Sequence, residues 1–111
     1  MQVEFPDPRM QTLFNSGREL TRAFGPENAR LIRRRIDDMR AVPSLADARG
    51  LPGRMEELKA ERKGLFSMRL AGGYRLIFKP SGNPLPVKPD GGIDWTQIRV
   101  ITILSVEDYH D

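Results

Sequence analysis

The chain has no cysteine among its 111 residues, one histidine and one tryptophan. Without thiols it can build no disulfide, no thiolate nucleophile and no cysteine-ligated zinc site. The lone histidine, His110, leaves any metal centre to carboxylates, and no Asp-x-Asp loop of the calcium-binding kind is present. Neither metal nor cofactor is therefore expected. No apolar run approaches the roughly 20 residues that span a bilayer. The opening Met1-Gln2-Val3-Glu4-Phe5-Pro6 lacks the basic and apolar regions of an export signal. A cytoplasmic location without membrane contact is the expectation, and the length fits one domain, 1–111, around one core.

What is present is an uneven spread of charge. The net charge is only +3, with an isoelectric point near 9.7. Between Arg54 and Lys79, however, seven basic residues face three acidic ones, a surplus of four. Such a local excess suits a polyanion better than a core.

The first half reads as helical. Asp7 followed by Pro8 is an N-cap with proline at the first helical position, and Leu13, Phe14, Gly17, Leu20 and Phe24 recur at helical spacing. Asn15-Ser16-Gly17 weakens this helix or ends it, the latter leaving Arg18 to Gly25 as a connector. Gly25-Pro26-Glu27 starts a second helix with an apolar stripe of Ala29, Ile32, Ile36 and Met39, and Pro43 stops it. The run Arg33-Arg34-Arg35 reads as a solvated helix face balanced by Asp37 and Asp38, the alternative being an RNA contact.

The second half reads as strands at Met55–Leu58, Phe66–Leu70, Tyr74–Phe78 and Ile98–Val106, with Val3–Phe5 as a short edge. Ala71-Gly72-Gly73 makes a tight turn, so Arg69 and Arg75 are expected to project from neighbouring strands, with Lys59, Arg62 and Lys63 upstream. Residues 80–94 are rich in proline and glycine and are expected to form a long exposed hairpin loop that cannot hold a ladder, with Trp95 pinning its return. The fold class is α+β: two N-terminal helices on one face of a twisted, mainly antiparallel sheet. Two helices cannot cover both faces, so the open one, carrying Arg69, Arg75 and Lys59, is where a ligand is expected.

These residue types suit RNA cleavage without a metal. The ribose 2′-hydroxyl attacks phosphorus, cations stabilise the phosphoryl oxygens, and acid and base groups move protons. Each positioned acid or base gives about 10²–10⁴-fold. Arg75 is the first candidate for the phosphate clamp, because guanidinium is planar, bidentate and always charged. Lys59 is the second, as acid, base or counter-charge. Imidazole titrates near neutrality, which makes His110 the natural proton carrier. Tyr109 either stacks on a base, donates to phosphate, or covers the core rim. Asp108 either orients the imidazole or caps the strand end. Arg62 and Lys63 lead phosphate in.

The stretch Leu58-Lys59-x-x-Arg62-Lys63-Gly64-x-x-Ser67-x-Arg69, then a turn and Tyr74-Arg75-x-x-Phe78, resembles the HigB-type branch of the RelE/ParE toxins. So does the end, Val106-Glu107-Asp108-Tyr109-His110. Leu13-Phe14-x-x-Gly17 and Leu51-Pro52-Gly53-Arg54 extend the resemblance over most of the chain in the right order. It implies a RelE-like fold and a type II toxin: a ribosome-dependent endoribonuclease that cuts mRNA in the decoding site. Lys59, Arg75, Tyr109 and His110 would be catalytic, with Arg62, Lys63, Arg69 and Asp108 binding RNA. The implied partners are the ribosome and mRNA, and a helix-turn-helix, HigA-like antitoxin through which alone operator DNA is met. Two departures stand out. Glu56 sits where some relatives carry a histidine, either as a base or as a solvated carboxylate, and the 80–94 loop is longer than usual. Two rival readings stay open. One is a ParE-like toxin that inhibits DNA gyrase by contact, and the other an inactive RNA- or antitoxin-binding module.

Overall fold

The first two helices each begin at a side chain that satisfies a free helical N–H group. In the computed structural model, which describes residues 1–109 and leaves His110 and Asp111 outside, Asp7 accepts from the Met10 N–H at 2.9 Å and opens α1, Pro8–Phe14. The chain does not coast through the Asn15-Ser16 break as a connector. Ser16 accepts from the Glu19 N–H at 3.1 Å and starts a new helix, α2, Gly17–Phe24. Ser16-x-x-Glu19 has the form of a capping box, and that local signal outweighs the poor helix propensity before it.

Gly25, at φ +87°, then ends α2 and precedes α3, Pro26–Ala41. The left-handed backbone there is the conformation glycine adopts without a Cβ clash. Asn28, Ala29, Ile32, Ile36 and Met39 form the buried stripe of α3. A short α4, Leu45–Ala48, buries Leu45 and Ala48 after the Pro43 stop. Among the described residues the chain thus forms four α-helices where two were expected on the sheet, and α2 packs against α3. None is long and apolar enough to cross a membrane.

The described residues also form five strands: β1 Gln2–Glu4, β2 Glu56–Glu57, β3 Phe66–Arg69, β4 Tyr74–Pro80 and β5 Val100–Asp108. Their order is β1-β5-β4-β3-β2, with β1 parallel to β5 and every other pair antiparallel. One face is apolar. Phe66, Met68, Leu76, Phe78, Ile101 and Ile103 bury there against Leu20, Ile32 and Met39, and Phe66 stacks on Phe78 at 5.6 Å. A register shift between Ile77 and Phe78, opposite Ser105 and Ile103, keeps both ends of β5 on the core despite one extra residue.

Helix α3 also grips the tip of the β3–β4 hairpin. Asn28 accepts from the Ala71 N–H at 2.8 Å and donates to the Ala71 carbonyl at 3.4 Å, while Arg35 Nε donates to the Arg69 carbonyl at 3.1 Å. The arginine run is therefore not a uniform solvated face. Arg33 and Arg34 are exposed, Arg35 is engaged with the hairpin, and Asp37 pairs with Arg40 at 3.8 Å. The proline- and glycine-rich loop holds more structure than expected. Val87 and Ile93 form a bridge, Lys88 N–H donates to the Gly92 carbonyl at 2.7 Å, and Asp94 N–H donates to the Pro86 carbonyl at 2.9 Å. Beyond it Trp95 meets Phe66 edge-on at 5.3 Å and carries the Arg49 guanidinium 4.5 Å above its ring, which anchors the return.

Candidate nucleic-acid interface

Strand register decides which charged residues meet. Arg69 on β3 lies opposite Arg75 on β4, and Arg75 lies opposite Glu107 on β5. Because alternate residues point to opposite faces, these three share the face away from the helices, while Met68, Leu76 and Val106 turn into the core. Ser67, Ile77 and Ser105 continue the same outer face one step along. Ser67 is fully buried there, and its hydroxyl has no hydrogen-bond partner among the described residues.

A single turn of 3-10 helix, Ala60–Arg62, brings the upstream basic segment to this face. Ala60 takes φ +56° to make the turn, a conformation that costs an L-residue about 1–2 kcal/mol. The turn delivers Arg62 to the far end of β5. Its Nη1 donates to the Tyr109 hydroxyl oxygen at 2.6 Å, and its Nη2 donates to Glu107 Oε2 at 2.8 Å. Ser105 Oγ donates to the same carboxylate oxygen at 3.0 Å. The hydrogen bond from Arg62 holds the Glu107 carboxyl below the usual carboxylate range, against a smaller opposing effect of burial, and the Ser105 bond adds to it. The same bond raises Arg62 further above its already high value.

Tyr109 is the hub. Its backbone N–H donates to the Gly73 carbonyl at 2.9 Å, which fixes it beside the hairpin turn. Arg75 lies 5.3 Å and Arg62 5.9 Å from its ring centre, distances at which a guanidinium is attracted to an aromatic face. Unlike Arg62, Arg75 makes no ion pair or hydrogen bond among the described residues beyond this ring contact. A half-buried guanidinium whose donors are unused among the described residues is a ready contact for a phosphate oxygen.

The other sequence candidates sit around this hub at different removes. Arg69 lies across from Arg75 but leans towards Glu56, Nη2 to Oε1 at 3.7 Å, with both side chains about half exposed. Its Nε is buried without a partner among the described residues. Glu56 is thus an ion-pair partner on the open face, opposite Ser67. Lys59 is exposed one turn before Arg62, and its carbonyl accepts the Arg62 N–H at 3.1 Å; among the described residues no hydrogen bond or ion pair joins its side chain to the hub. Lys63 lines a separate hollow with Glu57, Gly64 and the loop residues Asp90 to Ile93. Asp108 pairs in register with Tyr74, which places it on the opposite side of β5 from Glu107. His110 lies outside the described residues.

Sequence reasoning had no role for Glu107. The available signal was alternation, since a residue two before Tyr109 and opposite Arg75 in any antiparallel pairing shares the arginine face. Its partner Arg62, 45 residues away, was not readable.

No protein-family model matches the sequence, and no curated protein is found to match it. Solved structures do. A YoeB/ParE toxin from Agrobacterium tumefaciens superposes with a TM-score of 0.59 at 14% identity over 100% of both chains. A chain of the YoeB-YefM complex from Staphylococcus aureus does so at 0.55 and 17%, covering 100% of this chain and 98% of that one. Identity this low speaks to architecture and not to chemistry. The chain has the α+β fold of the YoeB/ParE toxins, with helices on one face of a five-stranded sheet whose other face carries the arginines.

Proposed function

We propose that this chain is the toxin of a type II toxin-antitoxin system, of the HigB kind, and a ribosome-dependent endoribonuclease that cuts mRNA in the decoding site. Two things support the reading. Its fold is similar to that of toxins, and its helix-free face gathers Arg62, Arg75 and Tyr109 around one point. The observation that carries it is the Arg75 guanidinium, free of ion pairs among the described residues and seated against the Tyr109 ring.

In this reading Arg75 meets the scissile phosphate and stabilises charge as the 2′-hydroxyl attacks. One preorganised donor of this kind is worth roughly 3–4 kcal/mol in the transition state. Tyr109 donates to a phosphoryl or leaving oxygen. His110, its neighbour in sequence, moves the proton, and exposed Lys59 adds charge or a second titrating group. With so few groups of its own, the domain relies on the ribosome to align the RNA, an effect worth about 7–11 kcal/mol. Free RNA is a poor substrate on this account. One structural neighbour was solved with YefM, and by analogy a helix-turn-helix antitoxin silences this chain in the cytoplasm and alone meets operator DNA.

A second reading, gyrase inhibition by protein contact, is kept because the other neighbour is described as YoeB/ParE. Purified protein added to translating ribosomes separates the two. Codon-linked breaks in mRNA that vanish in Arg75→Ala support the nuclease. Intact mRNA together with inhibited supercoiling overturns it, and intact mRNA without supercoiling inhibition points to a binding module alone.

A further inference from the structure

Arg62 carries a planar fork of donors, and both prongs are occupied: one by the Tyr109 oxygen at 2.6 Å, the other by Glu107 at 2.8 Å. The carboxylate is itself held, since Ser105 donates to the same oxygen at 3.0 Å. A chain of three hydrogen bonds therefore runs from Ser105 through Glu107 and Arg62 to the phenol. It ties the middle of β5 to the strained turn at Ala60 and to the residue just beyond β5. Arg75 faces Glu107 in register, yet among the described residues the carboxylate pairs with Arg62 and not with Arg75.

We propose, building on the nuclease reading above, that Glu107 is a positioning residue: it locks Arg62 so that Tyr109 is held with its hydroxyl proton free to donate, and it keeps Arg62 from competing with Arg75 for phosphate. The contacts support this division. A phenol oxygen that accepts from a guanidinium N–H still has its own proton to donate, and Arg75 lies 5.3 Å from the same ring. Arg62 is in consequence a holder of Tyr109 and not a lead-in contact for RNA. Its charge is answered by Glu107, whereas Arg75 has no ion-pair partner among the described residues. Lysine could not replace it, because an ammonium lacks the fixed fork that reaches carboxylate and phenol together.

The test compares wild type, Glu107→Ala, Glu107→Gln, Arg62→Ala, Arg62→Lys and the double alanine variant. One readout is single-turnover cleavage of ribosome-bound mRNA alongside ribosome affinity. The other needs no activity: in NMR spectra the Tyr109 ring shifts the δ-methylene protons of Arg62 and of Arg75 upfield. Glu107→Ala is expected to slow cleavage about 10-fold and Arg62→Ala about 30-fold, within the range of a misplaced acid group. Ribosome affinity should stay within about 2-fold in both. The double variant should be no slower than Arg62→Ala, because coupled residues are not additive. Arg62→Lys should not rescue the rate, and Glu107→Gln, which keeps the shape and one acceptor, should fall between wild type and alanine. The Arg62 methylene shift should collapse in Glu107→Ala while that of Arg75 persists.

Full cleavage by Glu107→Ala, additive losses, rescue by lysine, or an unchanged Arg62 shift would each overturn the positioning role. A wild-type chain that cuts nothing would instead refute the nuclease reading. The methylene shifts would then decide by themselves whether Glu107 holds Arg62 against Tyr109.

Discussion

The two faces of β3, β4 and β5 are made by alternate residues of the same strands, yet they obey different rules. On the helix side, Met68, Leu76, Phe78 and Ile103 lie fully buried in one cluster and are selected for shape and area. On the other, Arg69, Arg75 and Glu107 follow the same period at one-residue offset, and there charge and hydrogen-bond geometry decide. The contrast shows how neighbouring residues of the same strands can build an apolar face and a charged one at once. Substitutions on the first face should move the fold, and those on the second should move activity.

Phe78→Ala should break the covered face most severely. Phe78 is fully buried and stacks on Phe66, and truncating such a ring costs about 3–5 kcal/mol. A fall in the urea midpoint measures it, and a loss under 1 kcal/mol would mean the core is not where the structure puts it. Arg75→Ala, one residue type and three positions away, should do the reverse. Cleavage of ribosome-bound mRNA should drop more than 100-fold, the equivalent of about 3 kcal/mol in the barrier, while unfolding free energy stays within about 0.5 kcal/mol of wild type.

Asn28→Ala sharpens the comparison at the point where the faces meet, because this buried amide satisfies both backbone groups of Ala71 at the hairpin tip. Leaving the Ala71 N–H unpaired should cost about 1–3 kcal/mol, and hydrogen exchange should quicken at Ala71 before it does at Phe78. Ser16→Ala should cost about 1 kcal/mol through the lost cap on the Glu19 N–H, with no effect on cleavage once the protein is folded.

The smallest effect is electrostatic. Glu107 is held below the usual carboxylate range chiefly by the Arg62 hydrogen bond. Its contribution is therefore fully present above the ordinary glutamate value of about 4.3, and it is lost as pH falls through the lowered native value. Both side chains are about a third exposed, at 35% and 34%, so screening limits the gain to roughly 1 kcal/mol. The stability gap between wild type and Glu107→Gln should be constant from about pH 6 to 7 and close under acid. A gap that widened on acidification would contradict the assigned pair.

Much of this architecture was legible one segment at a time. Asp7-Pro8 and Gly25-Pro26 mark helix starts, Pro43 a stop, and Gly72-Gly73 a turn, because proline and glycine act on their own backbone and report it directly. The β3–β4 hairpin and its two arginines follow from alternation about that turn. The start of α2 was equally local, in Ser16-x-x-Glu19, but it was masked by Asn15-Ser16-Gly17, whose low helix propensity and capping ability pull in opposite directions. The loop at 80–94 misled for a related reason. Its prolines forbid a regular ladder, yet Val87 and Ile93 still close a single bridge across a turn.

Composition, punctuation and period, all properties of neighbouring residues, determined that this chain would take an α+β fold with a basic hairpin and a sheet face left uncovered by helices. They could not say that Arg62 would turn to Glu107 and Tyr109 while Arg75 met only the Tyr109 ring among the described residues, or that Asn28 would reach Ala71 across 43 residues. Those pairings require the backbone to be folded first, because a guanidinium chooses among acceptors by distance and angle, and only the assembled sheet and the turn at Ala60 set both.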